Sequence, residues 1–260
     1  MEEINFYKYQ GTGNDFVMID GVNNTVDLSI EQIKRICSKG FGVATDGLII
    51  LKKADGLDFE MDYYNADGTQ SMCGNGGRCA VKFARQIGII ASTYHFKAID
   101  GLHEATIEEN GWVNLKMNDV SQVNSFGTDF ILNTGSPHYI VLTDNVKSLN
   151  VVEEGRKIRY SDSFNEAGIN VNFVQTLNDT SIFVRTYERG VENETLSCGT
   201  GVTAASIVAA HNDRGFNRIE VETLGGKLAV EFDRISEEQF ENILLCGPAE
   251  LVFSGRIAVS

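Results

Sequence analysis

Proline is nearly missing from this 260-residue chain, with two in all, and there is a single tryptophan. With so little proline and no tract of biased composition, no stalk, linker or disordered tail is evident, and closely joined parts are predicted. Basic residues are also scarce: 22 Lys and Arg stand against 36 Asp and Glu, a formal net charge of −14. Phosphate backbones are bound through clustered Lys and Arg, so no nucleic-acid partner is expected. Acidity of this size mainly keeps a protein soluble. No apolar run approaches the ~20 residues needed to cross a bilayer. The opening Met1-Glu2-Glu3-Ile4-Asn5 lacks both the basic segment and the apolar core of a secretory leader. A cytoplasmic protein without membrane association is the expectation.

Paired cysteines are lacking too. The five present, Cys37, Cys73, Cys79, Cys198 and Cys246, are an odd number in a large chain, which argues against a disulfide framework. Cys73 and Cys79 have no histidine at a zinc-ligand spacing, so no metal is expected. What remains is an ordinary globular composition, 42% hydrophobic and 22% charged, long enough for one large domain or two of about 130 residues.

Two of the cysteines share one setting. Ser71-Met72-Cys73-Gly74-Asn75-Gly76-Gly77 and Thr195-Leu196-Ser197-Cys198-Gly199-Thr200-Gly201 each place a cysteine before a glycine-rich turn that opens an apolar helix. The two stand 125 positions apart, one in each half. The surrounding patterns match as well. In the first half Leu57 to Tyr63 alternates as a strand with one wet face, turns at Asn65-Ala66-Asp67-Gly68 and reaches Cys73; the following helix carries Ala80, Val81, Phe83, Ala84 and Ile87, with Gly88 as its cap. In the second half the strand Ser181 to Tyr187 passes Glu188-Arg189-Gly190 and reaches Cys198, and the helix Val202 to Ala210 is apolar nearly all round.

Elsewhere, Phe6 to Tyr9, Phe16 to Ile19 and Leu48 to Leu51 read as strands, and Ser29-Ile30-Glu31-Gln32 has the form of a capping box opening a helix that Gly40 stops. Gly111 to Met117 and Arg218 to Thr223 alternate again. Many short strands and few helices predict an α+β fold (mixed α/β) in which each half is a curled, mostly antiparallel sheet wrapped around a central helix. The expected halves are 1–120 together with 249–260, and 121–248.

A cysteine at a helix N-terminus is suited to proton transfer. The reference thiol pKa is ~8.5, and a partly buried helix dipole contributes up to about 2 kcal/mol, enough to bring it near 7. Two close thiolates repel, so a pair would hold one proton between two sites. One thiolate and one thiol on opposite faces of a carbon acid would invert a stereocentre. The amides of Gly74, Asn75, Gly199 and Thr200 at the two helix starts would receive the substrate carboxylate. The competing reading, that both are buried small hydrophobes, fits Cys37, Cys79 and Cys246, which lack this setting.

Other candidates are weaker taken singly. Gly11-Thr12-Gly13-Asn14 lacks the third glycine and the following helix of a dinucleotide fingerprint. His138, in Gly135-Ser136-Pro137-His138, is by itself a surface or packing histidine; His95, His103 and His211 carry no signal. Glu188-Arg189 alone would be a solvated ion pair and Asn65 an ordinary turn residue. No lysine stands in a setting that marks a pyridoxal phosphate anchor.

Together these segments resemble the diaminopimelate epimerases. The resemblance rests on Gly11-Thr12-Gly13-Asn14-Asp15-Phe16, Asn65-Ala66-Asp67-Gly68, Met72-Cys73-Gly74-Asn75-Gly76, Gly135-Ser136-Pro137-His138, Tyr187-Glu188-Arg189-Gly190, Cys198-Gly199-Thr200-Gly201 and Gly225-Gly226-Lys227-Leu228, in family order over almost the whole chain. It implies two pseudo-symmetric domains, a homodimer, no cofactor, and interconversion of LL- and meso-2,6-diaminopimelate, a step towards lysine and peptidoglycan precursors. It implies Cys73 and Cys198 as proton carriers supported by His138 and Glu188, and Asn14, Asn65, Asn170 and Arg189 as holders of the distal end of the substrate. The chain departs from the family pattern twice: Ser136 stands where asparagine often precedes Pro-His, and Gly47 where many members have glutamine. Proline or hydroxyproline racemases, and relatives whose thiols no longer exchange protons, are the alternatives.

Overall fold

The computed structural model describes residues 3–210 and 214–259, so His211 lies outside the described residues. The chain divides into two compact units, Met1–Leu115 with Gly247–Ser260, and Lys116–Cys246.

The first unit begins with β1 (Glu3–Gly11) and β2 (Asn14–Gly21), followed by α1 (Ile30–Cys37), β3 (Gly47–Lys52), β4 (Phe59–Asn65), α2 (Gly74–Gln86), β5 (Tyr94–Ala98), β6 (Gly101–Ile107) and β7 (Val113–Lys116). β1 and β2 form a hairpin closed by Thr12 and Gly13, whose φ angles of 51° and 84° are the left-handed pair that a two-residue turn of this twist requires. β2 runs parallel to β3, β3 antiparallel to β4, and β4 parallel to β5, from which β5, β6 and β7 continue as an antiparallel meander. Parallel neighbours need a crossover, and α1 and α2 are those crossovers.

The second unit contains β8 (Val123–Phe126), β9 (Asp129–Asn133), β10 (Pro137–Leu142), α3 (Val151–Arg159), β11 (Asn170–Asn178), β12 (Ser181–Glu188), β13 (Asn193–Thr195), α4 (Gly199–Ala209), β14 (Gly215–Thr223), β15 (Gly226–Arg234) and β16 (Phe240–Gly247). Its pairings repeat those of the first unit. An antiparallel pair, β9 with β10, leads into β10 parallel to β11, β11 antiparallel to β12, β12 parallel to β14, and an antiparallel run through β16. Here α3 and α4 make the crossovers. The final strand, β17 (Glu250–Ala258), returns to the first unit and pairs antiparallel with β1. The fold is mixed α/β, dominated by strands, with two repeated halves.

Local sequence explains the helices. α1 carries the expected capping box, the Ser29 side chain accepting from the Gln32 amide at 3.3 Å while Gln32 Oε1 accepts from the Ser29 amide at 2.8 Å, and it buries Ile33, Ile36 and Cys37. α2 lies against β1 to β4 and β6, and α4 against β9 to β12, β14 and β15. Enclosure on nearly all sides explains the composition of α4, whose buried residues are Gly, Val, Thr, Ala, Ser and Ile, small enough for strands to approach closely. Its buried hydroxyls are satisfied internally, Thr203 donating to the Gly199 carbonyl at 3.0 Å and Ser206 to that of Val202 at 2.9 Å. β4 alternates as expected but starts at Phe59, because the preceding bend takes up Leu57 and Asp58. Gly88, just past α2, has φ 98°, the left-handed ending typical of a glycine cap. Among the described residues no helix is long and apolar enough to cross a membrane.

Phe83 of α2 is fully buried, with its ring 5.1 Å from that of Tyr7 and 5.9 Å from that of Tyr9. Phe83→Ala is expected to cost roughly 3–5 kcal/mol and Ser29→Ala about 1 kcal/mol. Denaturant midpoints check both, and equal losses would contradict this account of the core.

Candidate active site

Cys73 and Cys198 occupy the same structural position in their respective units: each is the N-cap of the central helix. Both have extended backbones, φ −133°, ψ 122° and φ −119°, ψ 112°, and neither side chain caps its helix. Their carbonyls accept the first helical hydrogen bonds, from Gly77 and Val202, each at 2.8 Å. Helix geometry leaves the amides of the first turn without intrahelical acceptors and puts the positive end of the dipole there. Gly74, Asn75, Gly199 and Thr200 all lie in these first turns.

In the first unit the structure brings Asn14, Cys73 and Asn75 together. Asn14 Oδ1 lies 3.4 Å from Cys73 Sγ and 3.5 Å from Asn75 Nδ2. Its amide nitrogen is held by the carboxylate of Asp46, which also accepts from the Asp15 amide at 3.1 Å. Asp46 thereby turns the Asn14 oxygen towards the thiol. Asn75 Oδ1 in turn accepts from buried Arg78 at 2.9 Å, and that guanidinium also reaches Thr12 Oγ1 at 3.2 Å.

Asn65 stands apart from this hydrogen-bonded set. Its Oδ1 accepts from the Tyr63 hydroxyl at 2.8 Å, and its Nδ2 donates to Thr69 Oγ1 at 3.0 Å and Ser71 Oγ at 3.1 Å, which rigidifies the turn leading to Cys73. Gly47 pairs directly with Asn65 across β3 and β4. A Cβ at Gly47 would lie 2.5 Å from Tyr63 Cε2 and 2.6 Å from the Tyr64 carbonyl, so the aromatic ring occupies the space that a side chain at position 47 needs.

In the second unit His138 pairs with Asn170 across β10 and β11, and Glu188 ends β12 one residue beyond the Val171–Tyr187 pair. These three candidates therefore fall on one line across the sheet. Asn170 Nδ2 donates to Ser136 Oγ at 2.9 Å, and its Oδ1 accepts from the Arg189 amide at 2.9 Å. The Arg189 guanidinium donates to the Ala167 carbonyl at 3.0 Å and to Ser136 Oγ at 3.3 Å. Ser136 thus bridges Asn170 and Arg189 with one hydroxyl. Glu188 accepts from Thr195 Oγ1 at 2.8 Å.

His138 is buried. Its Nδ1 lies 2.9 Å from Asn172 Nδ2 and its Nε2 2.9 Å from Thr200 Oγ1, which is 3.5 Å from Cys198 Sγ. Burial, reinforced by the positive charge of Arg189, pushes the imidazole pKa down to about 3. The ring is therefore neutral throughout the working range. Burial acts oppositely on the other thiols: it pushes Cys37 up to about 12, aided by the charge of Asp15, and raises Cys79 despite the adjacent Arg78. These are held as thiols. Among the described residues, no three His, Cys, Asp or Glu side chains gather as a metal site would require.

Three contributors were not anticipated from sequence. Asp46 is 32 positions from the Asn14 it orients, Asn172 is 34 from His138, and Arg78 is 66 from Thr12. Strand register brings Asn172 to His138 and Asp46 to Asn14, and the packing of α2 on β1 and β2 brings Arg78 to Thr12. The sole sequence signal was for Asn172, which lies two positions beyond Asn170 on the same strand face.

The profile of the family described as "Diaminopimelate epimerase" matches residues 6–123 and 130–252. A diaminopimelate epimerase of Flavobacterium psychrophilum is 50% identical over 257 residues, covering 96% of this chain and 99% of that protein. One from Aquifex aeolicus is 37% identical, covering 97% of each. Among solved structures, a PhzF-family phenazine biosynthesis protein of Bacillus anthracis superposes with a TM-score of 0.77 at 16% identity, covering 99% of this chain and 100% of that one. A probable proline racemase of Agrobacterium radiobacter does so with 0.70 at 15%, covering 99% and 93%. At these identities the structural likeness concerns the fold alone.

The neutral, buried state of His138 has a measurable consequence. Unfolded, the ring takes up a proton below about pH 6.5, whereas folded it does so only near pH 3, so this contribution to stability is complete above about 6.5 and lost progressively as pH falls towards 3. His138→Gln is expected to flatten the fall in denaturant midpoint between pH 6 and 4. Identical pH slopes in the two proteins would show that the folded ring protonates in the ordinary range.

Proposed function

Because the chain belongs to the diaminopimelate epimerase family, we propose that it interconverts LL- and meso-2,6-diaminopimelate in lysine and peptidoglycan-precursor biosynthesis, by proton transfer between Cys73, Cys198 and one α carbon. The observation that carries this reading is the equivalence of the two cysteines, each the N-cap of the central helix in topologically repeated halves. A single nucleophile would not need duplication in this setting; an acid and a base for opposite faces of one carbon would.

In the proposed step one thiolate removes the α proton, forming an S–H bond as the C–H bond breaks. Electron density moves towards the substrate carboxylate. The other thiol then delivers its proton to the opposite face, which leaves one thiol and one thiolate in exchanged roles. Protons and charge balance within the pair, so the reaction requires no cofactor. The first-turn amides of Gly74, Asn75, Gly199 and Thr200 provide donors for the carboxylate as negative charge builds on it. The helix dipoles favour the thiolate and the developing anion alike.

His138 and Glu188 support the carriers in this scheme, with His138 linked to Cys198 through Thr200. Asn14, Asn65, Asn170, Glu188 and Arg189 bind the substrate, and the clamp on its distal amino-acid end gives the enzyme its means of telling LL from DD. The joining of Asn170 and Arg189 through Ser136 supports that assignment in the second unit. A cytoplasmic homodimer belongs to the same proposal. Leu251, Val252 and Phe253, exposed along β17, provide apolar surface suited to a second copy.

Cys73→Ser and Cys198→Ser are each expected to lower turnover by about 10²- to 10⁴-fold, followed by NMR as exchange of the α proton of LL-diaminopimelate in deuterium oxide. A near-wild-type rate in either variant would refute the two-base mechanism. Activity on proline and none on diaminopimelate, assayed side by side, would replace the substrate assignment by that of a proline racemase.

A further inference from the structure

We propose that Asn172 is a positioning residue for proton transfer: acting through His138, it makes the Thr200 hydroxyl a donor directed at the sulfur of Cys198. The proposal rests on the reading of Cys198 as a proton carrier and extends it to the group that sets the protonation preference of that thiol.

The orientation of the Asn172 amide follows from its neighbours. Its nitrogen lies 3.3 Å from the Tyr139 carbonyl oxygen, which can only accept, while its oxygen accepts from Thr186 Oγ1 at 2.9 Å. The NH₂ group therefore also faces His138 Nδ1, at 2.9 Å. A donor there requires Nδ1 to be an unprotonated acceptor, and a neutral imidazole then carries its proton on Nε2. An imidazolium would set N–H against N–H.

Nε2–H donates to Thr200 Oγ1 at 2.9 Å, so the hydroxyl proton is directed away from the ring and is available to another acceptor. Cys198 Sγ lies 3.5 Å from the same oxygen, within reach of a hydrogen bond to sulfur. A hydroxyl donating to sulfur stabilises the thiolate over the thiol. The opposite tautomer would reverse the chain: Thr200 would donate to Nε2, and its oxygen would accept from the thiol, favouring the protonated form. One amide thus decides whether that hydroxyl has a proton to offer a sulfur the amide does not touch.

Two further contacts belong to the device. Thr134 Oγ1 donates to the Thr200 carbonyl at 2.8 Å, which anchors the first turn of α4. At Gly201 a Cβ would stand 2.3 Å from Asn172 Oδ1 and 3.3 Å from His138 Cε1. The second glycine of Cys-Gly-Thr-Gly is therefore the space in which the amide and the imidazole meet beneath the helix.

The test uses two measurements on the full-length protein, neither involving substrate. In the first, ¹⁵N NMR of the His138 ring in the wild-type protein is expected to show Nε2 protonated and Nδ1 bare, unchanged from about pH 5 to 9. In the second, alkylation of Cys198 is followed against pH by peptide mass spectrometry in a Cys73→Ala background. Asn172→Leu and Thr200→Val are each expected to move the alkylation midpoint up by about half to one pH unit, three- to tenfold less thiolate below the midpoint, and Thr200→Ser to restore it. A proton on Nδ1, a ring titrating between about pH 5 and 8, or a midpoint unmoved by Thr200→Val would overturn the proposal. The wild-type NMR and the Thr200 pair decide the matter even if Asn172→Leu fails to fold. A chain inactive on diaminopimelate could still give the expected tautomer and midpoints, so failure of the substrate assignment is distinguishable from failure of this inference.

Discussion

An α-helix begins with amides that its own backbone cannot satisfy, and in this protein that constraint falls at the most consequential place in each half. The central helices are packed among strands, and each opens on a cysteine followed by a glycine. In both, the N-cap is a cysteine whose side chain does not cap. Glycines keep those turns slender, and the local electric field acts on sulfur and on any carboxylate that approaches. Other features of each half surround this arrangement: turns tied by Asn65 and Thr195, and polar groups fixed at a distance by Asp46 and Asn172.

The two halves meet the same constraint with different chemistry. In the first, an amide whose nitrogen donates to a carboxylate turns its oxygen to the sulfur, and in the second a hydroxyl held by a neutral imidazole faces it. Topology is repeated while the sulfur's partner is not. Equivalent thiols in unequal surroundings are what an enzyme needs if one is to start as acid and the other as base.

Much of this was legible in the sequence because it was written locally. The capping box at Ser29, the alternation of Phe59, Met61 and Tyr63, the apolar α4 and the glycine ending of α2 each follow from residues within one or two turns. The repetition of Cys-Gly before two helices marked the centre of each half. Other features were not legible for a physical reason. α3, the counterpart of α1, buries only Val151 and Gly155 fully, and five of its nine residues are charged, so its apolar stripe is thin. Asp46 and Asn172 reach their partners through strand pairing, and Arg78 through the packing of α2 on β1 and β2, each across more than thirty residues, which no local pattern encodes. The two departures from the family pattern became intelligible only in three dimensions, where Tyr63 fills the space beside Gly47 and Ser136 bridges Asn170 and Arg189.

The return of β17 to β1 also has a bearing on how the molecule is made. Eight residue pairs join the first strand of the chain to the last, from Glu3 with Ala258 to Gln10 with Glu250. During synthesis the strands of the continuous second unit are all made before β17, so β1 pairs with β2 early and meets β17 only after the second unit has been translated. The half whose translation begins first therefore gains its β17 strand only after the whole of the other half has been translated.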